Sequence, residues 1–156
     1  MRKTKPTRRS QAERRAATQA KLIAAARHLF VKQGFAATAT PDIVQRAGVT
    51  RGALYHHFED KRDLFRAVAN NEAQAVAEYI ERQTREVTDP RQAMVAGSDA
   101  FFTAMAVPGR VKLLLEDAPA VLGHAAATEL TRANGNEELR EGLSNAIPEA
   151  SGAEID

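Results

Sequence analysis

An all-α fold is what this sequence predicts, on three observations. Apolar residues recur at three- and four-residue intervals over most of the chain. No alternating stretch is long enough for a sheet strand. Gly34, Gly48, Asp89-Pro90 and Pro108-Gly109 punctuate the periodic segments, as helix stops and starts do.

Residues 1 to about 10 are rich in Lys, Arg, Thr and Pro without apolar periodicity and read as a flexible arm. From Ala12 onward Leu22, Ile23, Ala26, Leu29 and Phe30 form one face of a first helix. Gly34 is its expected stop, with Phe35 the apolar contact just past it. Pro41 and Asp42 suit the first turn of a second helix, which carries Ile43, Val44 and Ala47 and stops at Gly48. Val49 is an apolar turn residue, and Thr50 is the expected N-cap of a third helix running through Leu54 to Phe58. Asp60 caps a long fourth helix that starts at Lys61 and reaches about Thr88. Asp89-Pro90 opens a fifth helix with Ala93, Ala100, Phe101, Ala104 and Met105 on its apolar positions. After Pro108-Gly109 comes a dense apolar run containing Val111 and Leu113 to Leu115. A further helix is expected from about Ala125 to Arg132, and a weaker one from Glu137 to Ile147.

The chain has 156 residues and no Cys, which excludes disulfides, thiolate metal sites and a Cys nucleophile. Its apolar stretches are far shorter than the roughly 20 residues of a membrane span, and the basic N-terminus lacks the apolar core of a secretory signal. A cytoplasmic protein is therefore the expectation. The net charge of +2 conceals an asymmetry. Residues 1–68 hold 15 basic and 5 acidic residues, whereas 69–156 hold 7 and 15. A basic first half points toward a polyanion, although residues 1–15 supply more than half of that excess. His56-His57 near Glu59 and Asp60 is a poor metal site, because adjacent helical residues point about 100° apart. No Ser, His or carboxylate spacing resembles a catalytic triad, so neither an enzyme nor a cofactor is expected.

Two short helices joined by an apolar turn that starts with Gly make a helix-turn-helix. Gly48 lets the chain leave the second helix tightly. Ile43, Ala47, Leu54 and Phe58 would hold the third helix inward, leaving Thr50, Arg51, Ala53, Tyr55, His56 and, near the end, His57 on its outer face. These small, hydroxyl and cationic groups suit phosphates and base edges.

The full run is more specific. Ile23, Ala26, Leu29-Phe30, Gly34-Phe35, Thr38, Asp42-Ile43, Ala47-Gly48-Val49-Thr50, Gly52-Ala53-Leu54-Tyr55, His57-Phe58, Lys61 and Leu64 resemble the N-terminal domain of the TetR family of bacterial transcriptional regulators. The resemblance spans roughly Ala16 to Ala75 without gaps. It implies a sequence-specific regulator, usually a repressor released by a small-molecule effector, that binds a palindromic operator in double-stranded DNA as a homodimer. Carried over by position, it implies that Thr50 contacts a phosphate while capping its helix. Arg51 and Ala53 would face base edges, and Gly52 would allow close backbone approach. Tyr55 and His56 would touch phosphate or base, and Lys61 would reach a phosphate from the other side. The expected layout is a basic arm (1–15), a DNA-binding domain (16–76, helix-turn-helix about 39–58) and a helical ligand-binding and dimerisation domain (77–156).

The sequence departs from the family pattern at Ala39, where Thr or Ser usually opens the second helix. The cap, with its phosphate contact, passes to Thr40, with Thr38 as rival. At position 44 Val replaces the common Ala. A softer resemblance around Leu113 to Gly123, together with Phe101, Phe102, Met105 and Leu114, is compatible with an apolar effector pocket; plain core packing explains the same residues. Relatives commonly run to about 190 residues and dimerise through two long final helices, which are not evident after Ala125. A truncated protein that pairs with a full-length relative without regulating DNA is the alternative. Incompleteness would leave apolar faces of the later helices exposed.

Overall fold

The computed structural model describes residues 10–133, and all of its regular elements there are helical. The expected arm up to Arg9 and the weak helix at 137–147 lie outside the described residues. The chain divides into two compact units, Met1–Phe65 and Arg66–Asp156.

In the first unit, α1 spans Gln11–Ala37. It begins one residue before Ala12, where a helix was expected, because Ser10 and Glu13 form a reciprocal capping box. The Glu13 amide donates to the Ser10 hydroxyl at 3.1 Å, and the Ser10 amide donates to the Glu13 carboxylate at 2.7 Å. Arg14 and Arg15 therefore stand on a helix. Gly34 does break the helix, with φ 83° and ψ 165°, a conformation that only Gly adopts without strain. One more turn follows, and Thr38 ends it. Phe35 then packs its ring against Phe30 and Phe65 with centroids 5.6 and 5.4 Å away, and Phe30 and Phe65 meet at 5.3 Å. Around this triad Leu22, Ile43, Leu54, Leu64 and Phe58 are buried.

The next helix, α2, spans Thr40–Ala47. Its cap is neither of the two expected threonines. Ala39 holds the N-cap position with no side-chain hydrogen bond, and its carbonyl accepts from Asp42 and Ile43. Thr38 is unavailable because its buried hydroxyl donates to the Gly34 carbonyl at 2.7 Å, and Thr40 is already the first helical residue. Val44 is only half-buried, so its extra bulk is taken up at the margin of the core. The third helix, α3, spans Arg51–His57, and α4 spans Lys61–Thr84. Asp60 caps α4 as expected, accepting from the Asp63 amide at 2.7 Å.

In the second unit α4 stops at Thr84, four residues short of the expected end. The Thr84 hydroxyl bonds back to the Ile80 carbonyl, and the Val87 amide turns tightly onto the Thr84 carbonyl. Branched Val87 and Thr88 then lead into Pro90, which disfavours helix at Asp89. Pro90–Met105 form α5, capped by Asp89 accepting from Gln92 at 2.9 Å. Arg110 and Val111 lead into a π-helical segment, Lys112–Asp117, which passes directly into α6 (Ala118–Leu122). Gly123, at φ 88°, separates it from α7 (His124–Thr131), close to the expected last helix. Val76, Ala104 and Met105 form a small core with Tyr79, Ile80 and Leu114 packed against it. A buried ion pair joins α4 to the chain after α5. Arg110 Nε donates to Glu72 at 2.9 Å, while Nη1 donates to the Ala104 carbonyl at 2.6 Å.

Candidate nucleic-acid interface

The corner between α2 and α3 is built from three local requirements. Gly48 adopts the left-handed conformation (φ 64°, ψ 38°), and its amide donates to the Gln45 carbonyl at 3.2 Å. Val49 follows, half-buried, with its amide on the Val44 carbonyl. Thr50 then takes an extended conformation, and its hydroxyl accepts from the Ala53 amide at 3.2 Å. The expected cap of α3 is therefore in place.

Only seven residues long, α3 cannot stand alone, since isolated helices shorter than about 12 residues are marginal in water. Its inner face holds it. Leu54 is fully buried, and Phe58 is buried at the C-cap with its amide on the Leu54 carbonyl. Both residues are core, as expected. Thr50, Arg51, Gly52, Tyr55 and His56 are exposed, with Ala53 and His57 half-buried between them. Residues four apart on a helix are stacked neighbours, so the Arg51 guanidinium lies over the Tyr55 ring, 5.5 Å from its centroid. A side chain at Gly52 would meet nothing closer than the Thr50 hydroxyl, 3.9 Å away. Nothing inside the fold requires Gly there, and its effect is to bare the backbone outward.

His57 titrates below the usual imidazole value. Burial opposes its charged form most, and the neighbouring charges of His56 and Arg15 add to that. Arg15 lies on α1, so that helix brings a cation near the end of α3.

Thr40 sits half-buried in the first turn of α2, and Lys61 opens α4. The Lys61 ammonium donates to the carbonyls of Phe35 at 2.8 Å and Thr38 at 2.9 Å, and lies 4.3 Å from the Phe35 ring centroid. Among the pocket candidates, Met105 is buried and Leu114 half-buried against the second unit's core. Phe101 (40% exposed) and Phe102 (70%) are surface residues, their rings 5.6 Å apart. The reason is position: Ala100, Ala104 and Met105 carry the inward face of α5. The capping box was legible as Ser-x-x-Glu at Ser10; the Lys61 bonds and the Glu72–Arg110 pair, across 38 residues, left no local signal.

Residues 22–68 match the family described as bacterial regulatory proteins, tetR family. The HTH-type transcriptional activator FasR of Mycolicibacterium smegmatis is 36% identical over 81 residues, which is 52% of this chain but only 37% of that protein. The chain thus spans about a third of its length. An uncharacterized HTH-type transcriptional regulator of Mycobacterium bovis is 30% identical over 144 residues, covering 92% of this chain and 67% of its own length. The crystal structure of a TetR-family transcriptional regulator from Pectobacterium atrosepticum superposes with a TM-score of 0.72 at 31% identity, covering 95% of this chain and 75% of that one. These matches run well past the helix-turn-helix and through both units. The chain belongs to the TetR family of bacterial regulatory proteins.

Proposed function

We propose that this protein is a sequence-specific DNA-binding transcriptional regulator that inserts α3 into the major groove. The supporting observation is the division of α3 into a buried side, Leu54 with Phe58, and an outer side that is hydroxyl-bearing, cationic and bare at Gly52. In this reading Thr50 binds a phosphate with its hydroxyl while capping the helix. Arg51 reads a base edge, with guanine its best bidentate partner. Gly52 allows close backbone approach, Ala53 faces a base edge, and Tyr55 and His56 contact phosphate or base. Thr40 contacts a phosphate from the start of α2. Repression, release by a small apolar effector and action as a homodimer on a palindrome complete the proposal, and family membership supports them.

Enrichment of duplexes from a random pool tests this reading. The protein should recover an inverted repeat and prefer it over random DNA at about 0.15 M salt. Arg51→Ala should lose about 1–3 kcal/mol of discrimination at one position of each half-site. Recovery of no preferred sequence would sink the proposal. A second reading, a partner that pairs with a longer relative without regulating DNA, draws on the exposure of Val95, Phe102 and Leu115 in the second unit. It expects heteromeric association in sedimentation with no sequence preference.

A further inference from the structure

We infer that Lys61 is a positioning residue that fixes the start of α2, and not a phosphate contact. The inference rests on the DNA-binding reading and reassigns one of its expected residues. An α-helix ends with unpaired carbonyls at its negative dipole end. Here the Gly34 break multiplies those carbonyls, because the chain turns once more before α2 begins. Three side chains bond to them, the Gln33 amide taking Ala37 at 3.2 Å. The Thr38 hydroxyl takes Gly34, and the Lys61 ammonium takes Phe35 and Thr38.

An ammonium has three donors, so two are committed inside the fold. The Phe35 ring lies beside the same charge at 4.3 Å, a cation–π contact. That ring belongs to the Phe30–Phe35–Phe65 triad, so the ammonium is tied to the core from both sides. The carbonyl of Thr38 lies one residue before Ala39, whose own carbonyl starts α2 by accepting from Asp42 and Ile43. Ala39 has no side chain to cap that helix. The bond from Lys61 to Thr38 therefore holds the helix entry in place where a capping hydroxyl is missing.

Two variants of the full chain separate this role from its rivals. Lys61→Met keeps much of the aliphatic stem and loses the charge and donors. Lys61→Gln loses the charge but keeps an amide that can donate. Each is measured well below its unfolding midpoint, on the duplex enriched by the wild-type protein, from about 0.05 to 0.2 M salt. If α2 is correctly placed a tenth of the time in the Met variant, affinity falls roughly tenfold. The Gln variant should lose less, and both should keep the wild-type slope of log affinity against log salt. A slope shallower by about 0.9, the signature of one lost phosphate contact, overturns the inference. So does an unchanged affinity of folded Lys61→Met, which would leave the residue with stability alone.

Amide exchange decides the matter even if no duplex is enriched, an outcome that counts against the DNA-binding reading alone. The Asp42 and Ile43 amides should exchange roughly tenfold faster in Lys61→Met relative to the Phe58 amide. Equal relative protection in the two proteins also overturns the inference.

Discussion

The two units bury their side chains in different ways. In the first, Phe30, Phe65, Leu22, Ile43, Leu54 and Leu64 are all fully buried, and every turn between its helices is closed by a Gly, a cap or a side chain on a carbonyl. In the second, the buried set is mostly small, with Ala69, Ala73, Ala100, Ala104 and Ala118 prominent, and it includes the charged pair Glu72 and Arg110. Among the described residues, six of the seven large hydrophobics that remain exposed lie between Val95 and Leu115. The first unit's stability is thus expected to rest on aromatic packing, the second's on small-residue contacts and the buried Glu72–Arg110 pair.

Breaking each core at its largest element tests that contrast. Phe65→Ala should cost about 3–5 kcal/mol in urea unfolding, as buried Phe truncations do. A loss under about 1 kcal/mol would show that the triad is not the first unit's anchor. Arg110→Met should cost about 3 kcal/mol by leaving Glu72 buried without its cation. Adding Glu72→Leu should recover much of that loss, since the pair itself contributes little beyond its own desolvation; no recovery would mean that Arg110 acts mainly through the Ala104 carbonyl. Gly48→Ala should cost about 1–2 kcal/mol from backbone strain alone, because a Cβ there meets no atom within 4 Å.

Smaller effects sharpen the comparison. His57 has a folded-state pKa below 6.5, so the unfolded chain binds its proton more readily. The stability that it contributes is complete above 6.5 and declines as pH falls through that value. Phosphates beside α3 would oppose the shift, so DNA affinity should rise over the same interval. Titrations of both quantities between about pH 7.5 and 5.5 should show these opposite slopes, and His57→Asn should reduce both. Phe102→Ser should change unfolding stability by less than about 0.5 kcal/mol while reducing self-association in sedimentation. A large loss of stability would mean that the ring is covered in solution.

Much of the fold was legible because it is written in local chemistry. Thr50 and Asp60 cap the helices they were expected to cap, Asp89-Pro90 opens a helix as expected, and Leu54 and Phe58 face inward as the three- and four-residue spacing requires. What was not legible depends on residues far apart or on competition between neighbours. Thr38 and Thr40 are both good capping residues, yet a carbonyl freed by Gly34 claims one and helix phase excludes the other. Phe101 and Phe102 are apolar by composition, but only the inward positions of α5 are filled, by Ala100, Ala104 and Met105.

The π-helical segment carries a consequence for chain length. Its Ala118 amide reaches back five residues to the Leu113 carbonyl, and Lys112 pairs with Asp117 through both carboxylate oxygens at 2.6 Å. In an α-helix residues five apart diverge by about 140° around the axis, so this pair suits the wider winding. A π-turn holds one residue more than the α-helix around it would need. Between Lys112 and Asp117, removal of a single residue should leave the faces of the flanking segments where they were.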